Sequence, residues 1–220
     1  MQSVTKRLAV LIMAVLALTA VTAASAVASP EWYAKRSGAW AKITTPVKVA
    51  SAGTLQLSDL DGGPLKEPVT FSCTVTTGGA VGAGSSGEIA EIKGFSSENC
   101  KCKSGCEKIE QGGWSNLPAP MELYKEGTEI RARVTASKNL GTPYFTFTYK
   151  QLLGGLRNED ACNFNTSTKL TNTSGGSVEA TFGKGSNKTH CLAGGNESGE
   201  WNGALTIKAN QSGVEAIKVE

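Results

Sequence analysis

Four of the six cysteines of this chain lie between Cys73 and Cys106, and no other feature limits its folding choices as much. Cys73 sits in Phe71-Ser72-Cys73-Thr74-Val75-Thr76, where apolar and polar residues alternate as in a half-buried strand. A Gly/Ala/Ser stretch, Gly78 to Gly87, leads on to Cys100-Lys101-Cys102-Lys103-Ser104-Gly105-Cys106, and Cys162 and Cys191 complete the set. An even number of cysteines is either a disulfide framework or a thiolate metal site, and the redox compartment decides between them.

The N-terminus points to the oxidising compartment. Lys6 and Arg7 form a basic start, and Leu8 to Val21 is an apolar run shorter than the ~18 residues a membrane span requires. Ala26-Val27-Ala28 has the small-residue spacing of a cleavage site. Residues 1–28 therefore read as a signal peptide, cut after Ala28, and the expected localisation is secreted. Residues 29–220 are expected to form a single domain with no membrane span. Lys6 and Arg7 also account for much of the formal net charge of +3, so nothing resembles the basic stripe of a nucleic-acid binder.

In an exported chain the cysteines should be oxidised. The scheme with the shortest reach joins Cys73 to Cys100, Cys102 to Cys106 and Cys162 to Cys191. The rival, zinc held by Cys100, Cys102 and Cys106 with His190 or Cys191, requires a C-x-C-x3-C spacing that structural zinc sites do not use. No metal is expected.

Alternation recurs along the chain. Thr54 to Ser58, Val69 to Thr76, Ile130 to Ala136, Thr142 to Lys150, Ser177 to Phe182 and Trp201 to Ala209 all carry it. Glu88 to Lys93 returns as a partner for the Cys73 strand. Ser137 to Gly141 reads as the turn of a hairpin between Ile130–Ala136 and Thr142–Lys150, and Val214 to Val219 as the return of a closing hairpin. Only Leu152 to Leu156 offers a short helical turn. The expected fold is all-β: an antiparallel β-sandwich or barrel-like sandwich of about 10–12 short, disulfide-stapled strands.

Catalytic signatures are sparse. The single histidine, His190, lies beside Cys191, and no Gly-x-Ser-x-Gly elbow accompanies it. Asp59 and Asp61 before Gly62 read as a turn, because a calcium loop requires further oxygen ligands. Gly78 to Gly87 lacks the Gly-Lys-Ser/Thr ending of a phosphate loop, so no cofactor is expected. Carboxylates could still serve a hydrolase that needs only two acids, with Glu88, Glu91, Glu159 and Asp160 as candidates. Trp114, Tyr124 and Tyr144 near turns are candidates for stacking on a sugar ring, although a tryptophan there can equally plug the core. Asn165, Asn172, Asn187 and Asn196 stand in Asn-x-Ser/Thr sequons.

The signal-like Leu8 to Ala28, Glu31-Trp32-Tyr33, Phe71-Ser72-Cys73, Gly94-Phe95 ahead of Cys100, and Gly199-Glu200-Trp201-Asn202-Gly203 resemble a loose group of secreted bacterial all-β proteins with no established activity. The resemblance implies export and a β fold, and nothing about ligand. The expected role is a non-enzymatic, secreted β-domain with a cell-envelope, adhesive or carbohydrate-binding function and a glycan or another cell-surface component as partner. The alternative is a secreted carboxylate-dependent hydrolase such as a glycosidase.

Overall fold

Phe145, Phe147, Tyr149 and Gln151 are buried while the residues between them are half exposed, the period of two that the sequence shows for a strand. The computed structural model describes residues 28–62, 66–183, 187–192 and 195–220, with only the backbone for 195–198. The proposed signal peptide lies outside these residues, apart from Ala28.

Sixteen strands are present among them: β1 (Trp32–Arg36), β2 (Ala39–Lys42), β3 (Val47–Gly62), β4 (Glu67–Val81), β5 (Ser86–Lys93), β6 (Cys100–Ser104), β7 (Cys106–Ser115), β8 (Ala119–Glu126), β9 (Glu129–Val134), β10 (Tyr144–Gln151), β11 (Arg157–Asn163), β12 (Ser167–Asn172), β13 (Val178–Phe182), β14 (Lys188–Cys191), β15 (Gly195–Ala209) and β16 (Ala216–Val219). The fold is all-β and antiparallel, as expected, with more strands than alternation alone suggested.

Three strands, β3, β4 and β15, are 15 or 16 residues long and organise the rest. One half of each joins β5, β8, β9, β12 and β13 in a ring, which closes where β13 pairs β15. The other halves join β6, β14, β11, β10 and β7 in a second curled lobe. The free edges of that lobe, β6 and β7, are drawn together by Cys102–Cys106 and by a bridge between Ser96 and Gln111.

The sequence reading stops β3 at Gly53 and β4 at Gly78, and runs through Gly203 in β15. At the waist between the lobes glycine is required instead: a Cβ on Gly203, whose φ is +133°, would lie 2.1 Å from the Thr54 carbonyl oxygen. A Cβ on Gly53 would meet Ala204 O at the same distance. The strands cross so closely here that only hydrogen fits.

Two expected hairpins are corrected. β9 pairs β8 and β12, whereas β10 pairs β7 and β11; Ser137 and Gly141 bond each other and send the chain from one lobe to the other. The C-terminal β16 pairs β1, not β15. Alternation fixes the buried face of a strand but does not name its neighbour. The stretch Leu152 to Leu156 is a turn, not a helix.

All six cysteines are joined, in the order-based scheme. Cys73 is in register with Cys100 on neighbouring strands, Cα atoms 4.0 Å apart, and Cys162 with Cys191 at 4.1 Å. The Cys162–Cys191 pair is also the one registered position linking β14 to β11.

Aromatic rings fill the junction of the lobes. Trp201, fully buried, stacks on Trp114 at 5.7 Å, meets Phe164 edge-on at 5.2 Å, and donates its indole N–H to Asn163 O at 2.9 Å. Phe71, Phe95, Phe145 and Phe147 continue the cluster. At the far end of the closed ring, β1, β2 and β16 form a small sheet that turns Trp32, Ala34, Ile217 and Val219 inward. The carboxamide of Asn172 holds this cap by bonding both the N–H and the C=O of Val219, at 2.9 and 2.7 Å.

Candidate functional site

An eight-stranded ring has room for side chains or for one small ligand. Here side chains take the space. Val49, Leu55, Val81, Ile92, Met121, Leu170 and Leu205 line an interior void of about 60 Å³, well under the ~300 Å³ at which ligand cavities begin. Of its polar groups, Ser51 and Thr77 share a 2.6 Å hydrogen bond, Thr168 donates its hydroxyl to Thr181 O at 2.8 Å, the exposed Glu88 stands at the rim, and the Thr166 hydroxyl has no partner among the described residues. This interior is core.

A larger concavity lies on the outside of the second lobe, where β7, β10 and β11 lie side by side. Register sets its shape. Gly113, Thr146 and Ala161 form one row across the three strands, and Gln111, Thr148 and Glu159 the next. The first row is nearly bare, and a Cβ on Gly113 would find nothing within 4 Å. A trough of about 560 Å³ results, lined by Gln111, Thr146, Thr148, Arg157 and Glu159 over a floor that includes Gly112 and Phe147. The Thr148 hydroxyl, turned away from bulk water, has no hydrogen-bond partner among the described residues. Tyr144 stands two residues from Thr146 on the same face of β10 and is half-buried.

Charges at one end of the trough are paired. Arg157 bonds Glu110 at 2.6 Å, and Lys150 bonds Glu107 at 2.5 Å. The Lys150 hydrogen bond and charge hold the Glu107 carboxyl below its ordinary range, and Glu107 raises Lys150 in return.

Beneath the trough, inside the lobe, Asp59, Tyr149, Gln151, Asn158 and Asp160 are buried together with aromatic rings. Asn158 donates to Gln151 at 3.0 Å. Burial, and then the charges of Asp160 and Asp59, push the Tyr149 hydroxyl well above the ordinary tyrosine range.

The structure separates the acids that a hydrolase would use. Glu159 faces the trough, but Asp160 points to the opposite face of β11 and is buried. Glu88 and Glu91 are exposed on β5 in the other lobe, and Glu91 pairs with Lys93 at 2.7 Å. His190 is half-buried on β14, and its Nδ1 bonds nothing among the described residues. Asp160 lies close to the sulfurs of Cys162 and Cys191, but those sulfurs are bonded to each other.

The stacking candidates lie apart. Trp114 faces inward into the aromatic cluster, so it plugs the lobe junction. Tyr124 is on β8 in the first lobe, hydrogen-bonded to Ser167, with Arg133 5.5 Å over its ring. Of the three, Tyr144 alone adjoins the trough. Among the sequon asparagines, Asn187 is buried and accepts a bond from Ser167 N–H at 3.0 Å, Asn172 holds the cap, and Asn165 is exposed. The side chain of Asn196 lies outside the described residues.

Trp40, which the sequence did not single out, is 39% exposed on β2, with the Lys218 ammonium 4.8 Å from its ring centroid. Gln111, Thr146, Thr148 and Arg157 were also missed. The available signal was Gly112-Gly113 on one strand and Thr146-Phe147-Thr148 on another, but only the pairing of β7 with β10 makes them a trough.

Fold and surface together define a disulfide-stapled, all-β double lobe with a filled interior and a polar trough on one outer face. No protein-family model, curated protein or solved structure matches the chain.

Proposed function

We propose that this chain is an exported, non-enzymatic β-domain that binds glycan chains at the cell envelope, with the trough across β7, β10 and β11 as its site. One observation carries the reading: a bare floor of small residues bordered by amide, hydroxyl, guanidinium and carboxylate groups. Such a surface offers hydrogen bonds to a hydroxyl-rich chain without a deep cavity. Tyr144 supplies a partly exposed ring beside it. Three disulfides fit an oxidising, extracellular setting, and no helix among the described residues is long and apolar enough to cross a membrane. The signal-like residues 1–28 support export.

A glycan array on the oxidised protein, followed by calorimetry on the best hits, tests the site. Thr146→Trp fills the trough from an outward position and is expected to weaken binding at least tenfold with an unchanged melting temperature. Equal binding by the variant would refute the trough as the site. Turnover of a bound glycan, abolished by Glu159→Gln, would replace the binding reading with the hydrolase.

A further inference from the structure

The turn between β10 and β11 reads Leu152-Leu153-Gly154-Gly155-Leu156, and its leucines are 64%, 57% and 47% exposed. Three leucines on one tight turn, open to solvent, form an apolar tip with no function in the core. The tip is narrow, because Gln151 N–H bonds Leu156 O at 2.8 Å and closes it.

Its neighbour is the disulfide-clipped basic segment. Leu152 donates its N–H to Gly105 O at 3.1 Å, and Gln151 is in register with Cys106. The Cys102–Cys106 bond fixes this segment, and Lys101 and Lys103 share the outward face of β6, four and two residues before Gly105. Both lysines are exposed and form no ion pair among the described residues. Lys150 and Arg157, at the two stems of the turn, are instead neutralised by Glu107 and Glu110. The end of the second lobe therefore presents an apolar point with unpaired cations beside it.

We propose that this end of the second lobe docks on an anionic lipid bilayer, with Leu152, Leu153 and Leu156 entering the headgroup region and Lys101 and Lys103 meeting lipid phosphates. Charge selects the occupant. A partner protein would cover the leucines without needing free cations, whereas a reversible membrane contact draws on both an apolar insertion and a basic patch. The turn does not span the bilayer; it rests in its surface. The proposal is independent of glycan binding, since the trough can be blocked without touching the tip.

Co-sedimentation of the oxidised mature chain, from Ser29 onward, with phosphatidylcholine vesicles, with and without roughly 30% phosphatidylglycerol, tests it at low salt. Partition should favour the anionic vesicles and fall as salt rises. Lys101→Gln with Lys103→Gln is expected to lower it roughly thirtyfold, at about fivefold per lysine. Leu152→Ser, Leu153→Ser and Leu156→Ser together should lower it at least ~tenfold. All of these side chains are exposed, and an unchanged urea midpoint verifies that each variant is folded. In Leu153→Trp, emission should shift to the blue on vesicle addition, beyond any shift of the wild type. Equal partition onto neutral and anionic vesicles, or a leucine variant that binds like the wild type, would overturn the proposal.

Discussion

Tyr149 makes the alkaline stability of this protein a test of its buried polar cluster. The ring is fully buried against Phe147, 5.7 Å between centroids, and its hydroxyl has no hydrogen-bond partner among the described residues. Burial raises its pKa first, with the nearby charges of Asp160 and Asp59 adding to the effect. An unfolded tyrosine ionises near pH ~10. The folded state therefore holds its proton above that pH while the unfolded state releases it. Stability contributed by the neutral hydroxyl is complete below pH ~10 and is lost as pH climbs toward the raised folded value. The slope reaches about 1.4 kcal/mol per pH unit, which amounts to roughly 2 kcal/mol by about pH 11.5. Tyr149→Phe removes this term and no hydrogen bond, so near neutral pH the variant should match the wild type within ~1 kcal/mol. Urea unfolding followed by tryptophan fluorescence, at constant ionic strength from neutral to alkaline pH, measures both curves. With no free cysteine, disulfide exchange has no thiolate to start it. Other groups titrate alike in the two proteins, so the difference between the curves isolates Tyr149. Curves that stay parallel above pH ~10 would refute the assignment.

Other expectations follow from the frame. Removing Cys162–Cys191 with paired serines should cost about 3–4 kcal/mol on the chain-entropy model, and amide exchange should accelerate first in β14, which has no other registered link to β11. Uniform acceleration across the molecule would contradict that local role. Gly203→Ala should destabilise by ~3 kcal/mol or more, because its Cβ meets Thr54 O at 2.1 Å, whereas Gly113→Ala, with open space around it, should stay within ~1 kcal/mol; thermal melts of the pair decide. Trp201→Phe should cost ~2–4 kcal/mol, from a lost bond to Asn163 and from the space left in the aromatic junction, read by urea midpoint.

The strand character and the cysteine partners were legible because both depend on short-range order along the chain. Phe145, Phe147 and Tyr149 alternate with threonines and lysine, and that pattern survives any choice of neighbour. Cys73 and Cys100 bracket a strand and its return, so reach alone suggested their bond. Lengths were misread at Gly53, Gly78 and Gly79, where glycine resembles a break but serves close strand crossing or a bulge. Partners were misread at Ser137 to Gly141 and before Val214, because a turn between two alternating runs looks the same whether they pair or part. The trough was illegible for a related reason. Gly113, Thr146 and Ala161 are remote in sequence, and only register places them in one row. Glu159 and Asp160 look like a pair in sequence, yet neighbours on a strand face opposite ways.

The three long strands carry a consequence for force and for signal. β3, β4 and β15 each belong to both lobes, so neither lobe can open without disturbing ladders that the other depends on. The chain should melt as one cooperative body, and a tether pulling on one lobe would load those ladders along their length. Anything that grips the second lobe would then be felt as slower amide exchange around the ring of the first, a readout of contact at a distance that requires no moving part.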